Sequence, residues 1–180
     1  MILGEQFTII EADLTHVGFL SDFGRKSFVD SYKCTLPLEE LEEYTRIAFA
    51  KDTISDEITD SSANYFICQD SASNPCGYSK LVLSNPPEFI NPASSIELQR
   101  LYVDVDYRGH GLGKLLAVHS ETNVRNQGVR HLWLRVWEGN IAAQEIYSRW
   151  SYSIAGNEQY QVGKETRTVI LMIKSLSTEY

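Results

Sequence analysis

DVDYRGHGLGKLL, running from Asp104 to Leu116, sets an arginine and three alternating glycines where a strand-like pattern ends and a helical one begins. Glycine is the poorest ordinary helix former, so a helix opening on Gly109, Gly111 and Gly113 has a use for bare backbone. The first N–H groups of a helix lack partners inside it, and the helix dipole favours negative charge there. Glycines let a phosphate approach those groups closely, and Arg108 adds a charged fork. The junction points to a phosphate ligand, most simply a pyrophosphate. A P-loop does not fit: Gly113-Lys114 is followed by Leu115, and Arg108 stands where its first glycine belongs. The dinucleotide fingerprint needs a small residue three places after its second glycine, and Lys114 stands there.

The surrounding sequence predicts a mixed α/β (α+β) domain. QFTIIEAD reads as a first strand. DLTHVGFLSDFGRKSFVDSY has helical spacing, with Gly24 as a weak point. LPLEELEEYTRIAF reads as a second helix with the stripe Leu38, Leu41, Tyr44, Ile47 and Ala48. NYFICQD and GYSKLVLS are strands joined by the turn SASNPCG. NPPEFINPASS, with three prolines, is a loop. SIELQRLYVD is the strand that runs into the glycines, and Leu112 to Gln127 is the helix behind them, ended by Gly128. In HLWLRVWE, Leu132, Leu134 and Val136 alternate with Trp133, Arg135 and Trp137; the two tryptophans are expected beneath a helix. NIAAQEIYSRW is a helix that Asn140 can cap, and TRTVILMIKSL is the last strand. The predicted order is strand, two helices, three strands, helix, strand, helix, strand, in one domain over residues 1–180.

Composition narrows the function. The chain has 180 residues, of which 43% are hydrophobic and 22% charged, with a formal charge of −8. An acidic chain is poorly suited to nucleic acid, and no apolar run reaches membrane-spanning length. Cys34, Cys68 and Cys76 are odd in number and lack metal-ligand spacing, so no metal site is expected. With no secretory signal pattern, a reduced, cytoplasmic protein is expected.

A third phosphate pattern does fit: Arg-x-x-Gly-x-Gly, as Arg108, Gly111 and Gly113. Here the sequence resembles the GNAT family of N-acetyltransferases. ELQRLYVDVDYRGHGLGKLL is similar to that family's central strand, loop and helix, and LWLRVWEGNIAAQEIYSRWSY to its next strand and helix. RKSFVDSY, LEELEEYTRIAF and YSKLVLS further resemble the PaiA-like branch, which acetylates polyamines and other amines. The resemblance implies a mostly antiparallel mixed sheet with splayed central strands and helices on both faces. It also implies an acceptor-side half, residues 1–95, and an acetyl-CoA-binding half, residues 96–180. Homodimers are common in such families.

Acetyl transfer to an amine needs positioning, a base, a donor for the carbonyl oxygen and an acid for the leaving thiolate. By resemblance, backbone from Leu101 through Tyr102 to Val103 pairs with the pantetheine arm, and the Val103 N–H is the oxyanion donor. Arg108, Gly109, His110, Gly111, Leu112, Gly113 and Lys114 hold the pyrophosphate, although His110 stands at a variable position. Many relatives have a glutamate where this chain has Gln99. By the two-residue period, Glu97 shares a strand face with Gln99, Leu101 and Val103; it is either the base, through a water, or a surface carboxylate. Tyr147 occupies the family's tyrosine position and is either the acid or a core aromatic. Asn140 can bond the pantetheine arm, cap its helix, or both. Many relatives read Asn-Gly-Phe after the tyrosine; this chain reads Trp150-Ser151-Tyr152. The run Glu39-Glu40-Glu42-Glu43 is either a solvated helix face or an attractor for a cationic amine. Nothing marks a cysteine as an acyl carrier, so direct transfer to a small amine is expected, possible acceptors including a polyamine. A protein or peptide acceptor and a non-catalytic acetyl-CoA-binding module are the rival readings.

Overall fold

The computed structural model describes residues 6–60, 63–84, 86–87, 90 and 94–176. Within these, the order is β1 (Phe7–Glu11), α1 (Val17–Tyr32), α2 (Leu38–Ala48), α3 (Lys51–Thr59), β2 (Ala63–Asp70), β3 (Pro75–Val82), β4 (Ser95–Val103), α4 (Leu112–Asn126), β5 (His131–Trp137), α5 (Ile141–Arg149), β6 (Ser153–Val162) and β7 (Glu165–Ser175). The strands form one seven-stranded sheet in the order β1-β2-β3-β4-β5-β7-β6. Every pairing is antiparallel except β4 with β5, which are joined by the α4 crossover. Much of the proline loop, and residues 1–5 of the N-terminal stretch, lie outside the described residues.

Two elements differ from the sequence reading. The nine-residue helix α3 was not expected; it buries only Ile54, so it offers no apolar period to read. Strand β6 was not expected either. It lies at the sheet edge, and its sequence SIAGNEQYQV is largely polar, with a bulge between Ile154 and Gly156. Helix α1 runs unbroken through Gly24 because the missing side chain makes room: a Cβ there would stand 2.7 Å from Phe49 and from the Tyr78 hydroxyl. On α2, Leu41 is buried, but Leu38 and Ile47 are 63% and 58% exposed, so the expected stripe is narrower than its spacing.

Both faces of the sheet are covered. On one, Leu112, Leu116 and Val124 of α4, with Ala143 and Tyr147 of α5 and its C-cap Trp150, pack against Ile96, Leu98, Leu132 and Leu134. On the other, α1 and α3 cover Tyr65, Ile67 and Tyr78, while Phe28, Leu41 and Phe49 form a second cluster with Val162. Trp133 is covered by Ile90 and Leu171 rather than by a helix.

The β3–β4 register shapes everything that follows. Lys80 pairs with Arg100, but Leu81 pairs with Leu98, so Gln99 is an extra residue. Such a bulge reverses the in–out alternation beyond it. Leu101 and Val103 therefore join Ile96 and Leu98 on the α4 side, while Glu97 shares its side with Arg100 and Tyr102. The expected common face of Glu97 with Leu101 and Val103 does not exist.

Candidate active site

Strands β4 and β5 pair only at Ser95–His131, Ile96–Leu132 and Glu97–Trp133. Beyond Glu97 they part, so β4 has an open edge toward β5. The Asp104 N–H donates to Cys76 O at 2.9 Å on the β3 side. Peptide directions alternate along a strand, so the N–H groups of Leu101 and Val103 face the opening. That of Tyr102 faces β3; its side chain lies in the pocket described below.

The opening leads to the glycine loop. Gly109 and Gly111 have φ of 80° and 81°, left-handed values that a side chain disfavours. Gly111 is the N-cap of α4 and makes no side-chain cap, so the first N–H groups of α4 are presented by bare backbone. Gly113 packs under Trp150, 3.4 Å from where a Cβ would sit. The loop is moored from outside: the Tyr107 hydroxyl donates to Asp70 at 3.1 Å, and Asp70 also accepts from the Ala72 and Asn74 N–H groups of the β2–β3 turn. Arg108 is exposed and its Nε donates to Val103 O at 3.2 Å, turning it toward the opening. His110 is exposed. The Leu112 side chain is buried, leaving only its backbone for a ligand. Lys114 lies 5.2 Å over the Trp150 ring, and burial holds its pKa below the usual lysine range. An open strand edge, two left-handed glycines and an uncapped helix start make a cradle that fits a pantetheine arm ending in a pyrophosphate.

Asn140 caps α5, its side chain accepting from Ala143 N–H at 3.2 Å. Two helical turns further on, Tyr147 is half-buried and packs edge-on against Trp150 and Tyr152, at 5.7 and 5.6 Å. Burial first, then the neighbouring Tyr32 phenol, push its pKa well above the usual tyrosine value. The helix ends without the glycine common in relatives. Ser151 takes the left-handed conformation itself, at φ 68°, and the Tyr152 N–H closes the turn on Tyr147 O.

On the opposite side of the sheet is a pocket of about 100 Å³, walled by aromatic residues from α1 and α2 (Phe28, Tyr32, Tyr44), by Trp137 of β5 and by Tyr160 of β6. Glu97 and Gln99 line it beside the place where β4 and β5 part. Glu97 is 3% exposed. Its Oε1 accepts from Arg135 Nη1 at 2.7 Å, while its Oε2 is buried with no hydrogen-bond partner among the described residues. Arg135 also holds Glu158 and lies 4.5 Å over the Trp133 ring.

Sequence reasoning missed much of this pocket. Arg100, Arg135 and Arg167 all line it, and the β6–β7 hairpin supplies part of its wall through Tyr160, Val162 and Val169. A signal for Arg135 was present: a lone cation between two tryptophans in an apolar strand must find a carboxylate when it is buried. The acidic run also divides. Glu39, Glu42 and Glu43 are exposed, but Glu40 is buried and accepts from the Lys164 N–H at 2.6 Å, tying α2 to the hairpin. His119 packs edge-on against Phe66 at 4.7 Å.

The Acetyltransferase (GNAT) family signature matches residues 25–152, more than half of the chain. The chain belongs to the GNAT acetyltransferase family. It is an acetyl-CoA-dependent N-acetyltransferase. An uncharacterized N-acetyltransferase from the pepI 3′ region of Lactobacillus delbrueckii subsp. lactis is 27% identical over 154 residues, 84% of this chain and 87% of that protein. Among solved structures, PaiA N-acetyltransferase from Thermoplasma acidophilum, in complex with coenzyme A, superposes with a TM-score of 0.76 at 19% identity, over 94% of this chain and 98% of that one. Spermidine/spermine N-acetyltransferase SpeG from Vibrio cholerae gives 0.70 at 16% identity, over 96% and 95%. No helix among the described residues is long and apolar enough to cross a membrane.

Proposed function

We propose that this acetyltransferase modifies the primary amine of a small molecule held in the aromatic pocket, by direct transfer in a ternary complex. The observation that carries the reading is Glu97: a buried carboxylate with one unpartnered oxygen, lining a small pocket beside the parting of two strands. Acetyl-CoA, when bound, supplies an acetyl group activated as a thioester. Arg108, the backbone of residues 109–114, and the edge of β4 at Leu101 and Val103 hold it, with Asn140 near the arm. The amine nitrogen forms the new bond to the acetyl carbon, and Glu97 takes the proton that the nitrogen loses, directly or through one water. The Val103 N–H donates to the carbonyl oxygen as charge builds there. Tyr147, its raised pKa keeping the phenol protonated at neutral pH, gives its proton to the sulfur as the C–S bond breaks.

The pocket's size favours a small molecule over a peptide. A polyamine is the acceptor named for the Vibrio relative, and Glu39, Glu42 and Glu43 would draw such a cation toward α2. Against it, the pocket wall carries three guanidiniums, Arg100, Arg135 and Arg167, and one carboxylate, Glu97. We infer action in the cytoplasm, where the free thiols Cys34, Cys68 and Cys76 stay reduced. The test is acetyl-CoA turnover across monoamines, amino acids, polyamines, aminoglycosides and peptides. Small amines are expected to be acetylated, and Tyr147→Phe to lower kcat by about 10²-fold or more with acetyl-CoA affinity nearly intact. Turnover confined to peptides would remove the reading.

A further inference from the structure

The charges behind the pocket are sorted into two poles. On one side of the Gln99 bulge, Glu97 and Glu158 share the single guanidinium of Arg135, leaving one surplus negative charge. On the other side, Arg100 and Lys80 stand opposite each other across β4 and β3, 8% and 2% exposed. Their carboxylate is Glu57. Lys80 Nζ reaches it at 2.5 Å, and the Tyr65 hydroxyl, which donates to Glu57, accepts from Arg100 Nη1 at 3.4 Å. Two cations thus share one carboxylate, leaving one surplus positive charge. At the rim, Arg167 is balanced by Glu165 at 3.1 Å. The whole is neutral but polarised. Buried surplus charge is costly unless something answers it, and both Glu97 and Arg100 line the same cavity. Glu97 has a free oxygen. Arg100 has five donors, and among the described residues their hydrogen bonds reach only Ala48 O, at 2.9 Å, and the Tyr65 hydroxyl, while the guanidinium lies 4.2 Å over the Phe49 ring.

A dication would satisfy the first pole and oppose the second. A plain monoamine would leave the second unanswered. Resting on the reading of this pocket as the acceptor site, we propose that the acceptor is a free amino acid with an apolar side chain. Its amine lies at Glu97 Oε2, its carboxylate at Arg100, and its side chain against Phe28, Tyr32, Tyr44 and Trp137. The product is the N-acetylated amino acid. Arg100 is then the residue that sets specificity.

The test compares matched pairs: leucine with isoamylamine, phenylalanine with phenethylamine, and each amino acid with its amide. The carboxylate is expected to raise kcat/KM by about 10- to 100-fold, the worth of one charge-assisted hydrogen-bonded contact. Arg100→Gln should shrink that ratio toward one, and Arg100→Lys should retain part of it. The ratio is the readout because a general loss of structure lowers both members of a pair alike. If Arg100→Gln does not fold, the wild-type ratios decide alone. Amines turned over as well as their amino acids would overturn the proposal while leaving the small-amine reading standing. A large wild-type ratio unchanged in Arg100→Gln would overturn the assignment to Arg100. No turnover of any small amine, with peptides acetylated, would remove both readings.

Discussion

Glu97 is held by one oxygen and left open by the other. Arg135 fixes Oε1 and is itself pinned between Glu158 and the Trp133 ring, while Oε2 is buried without a hydrogen-bond partner in a residue that lines the pocket. Glu97→Gln preserves the shape and the Arg135 contact while removing the ability to take a proton. The expected result is a kcat/KM lowered by about 10²-fold or more near neutral pH, with the deficit shrinking as pH rises and free amine becomes abundant. A carboxylate that only binds positive charge would instead raise KM, and free amine would not cure it. A pH profile superposable on the wild type would assign the proton to a water chain and Glu97 to structure. Tyr147 is legible as a candidate because it occupies a position that the family motif counts, whereas Glu97 follows only from the two-residue period, which holds from Glu97 to Gln99 and fails for Leu101 and Val103 beyond the bulge. Arg135's bridge to Glu158 is not legible, because Glu158 lies on a strand whose polar text gives no period.

At the scale of elements, the glycine loop is the most legible feature of the chain, since only bare backbone explains its composition. The bulge at Gln99 is the least legible, because an inserted residue leaves no composition signal and only the paired register reveals it. The loop can be tested against a matched control. Gly111→Leu places a bulky side chain at a left-handed position facing the expected pyrophosphate, and acetyl-CoA affinity measured by calorimetry should fall steeply. Arg108→Ala should weaken binding less, by about 1.5–3 kcal/mol for one charged hydrogen bond. Gly128 shares the left-handed backbone, at φ 75°, with open space around its Cβ, and ends α4 at the far side. Gly128→Ala should therefore lower stability by about 1 kcal/mol without touching affinity. Unchanged affinity in both loop variants would place the cofactor elsewhere.

For the whole molecule, the burial of Lys80 and of two thiols makes stability a function of alkaline pH. Burial, then the Arg100 charge, bring Lys80 down to about 8, against a partial restoring pull from Glu57. Between about pH 8 and the ordinary lysine value near 10.4, the unfolded chain holds a proton that the folded chain has released. In that window Lys80 makes stability rise with pH, by about 1.4 kcal/mol per unit at most. Cys68 has the opposite sign. Burial pushes its thiol up to about 12, so above about pH 8.5 the unfolded thiol ionises while the folded one stays protonated, and stability falls. Burial raises Cys76 as well, adding to the fall. Above about pH 10 the buried phenols join it, Tyr78 being pushed up to about 12. In wild type the lysine and thiol slopes oppose each other between about pH 8.5 and 10, so urea midpoints should change little there and drop beyond. Lys80→Met removes the rising component alone. Its stability should already decline from about pH 8.5, and should fall relative to wild type with each pH step up to about 10. Parallel curves for the two proteins would mean that Lys80 titrates in the folded state as it does in the unfolded one.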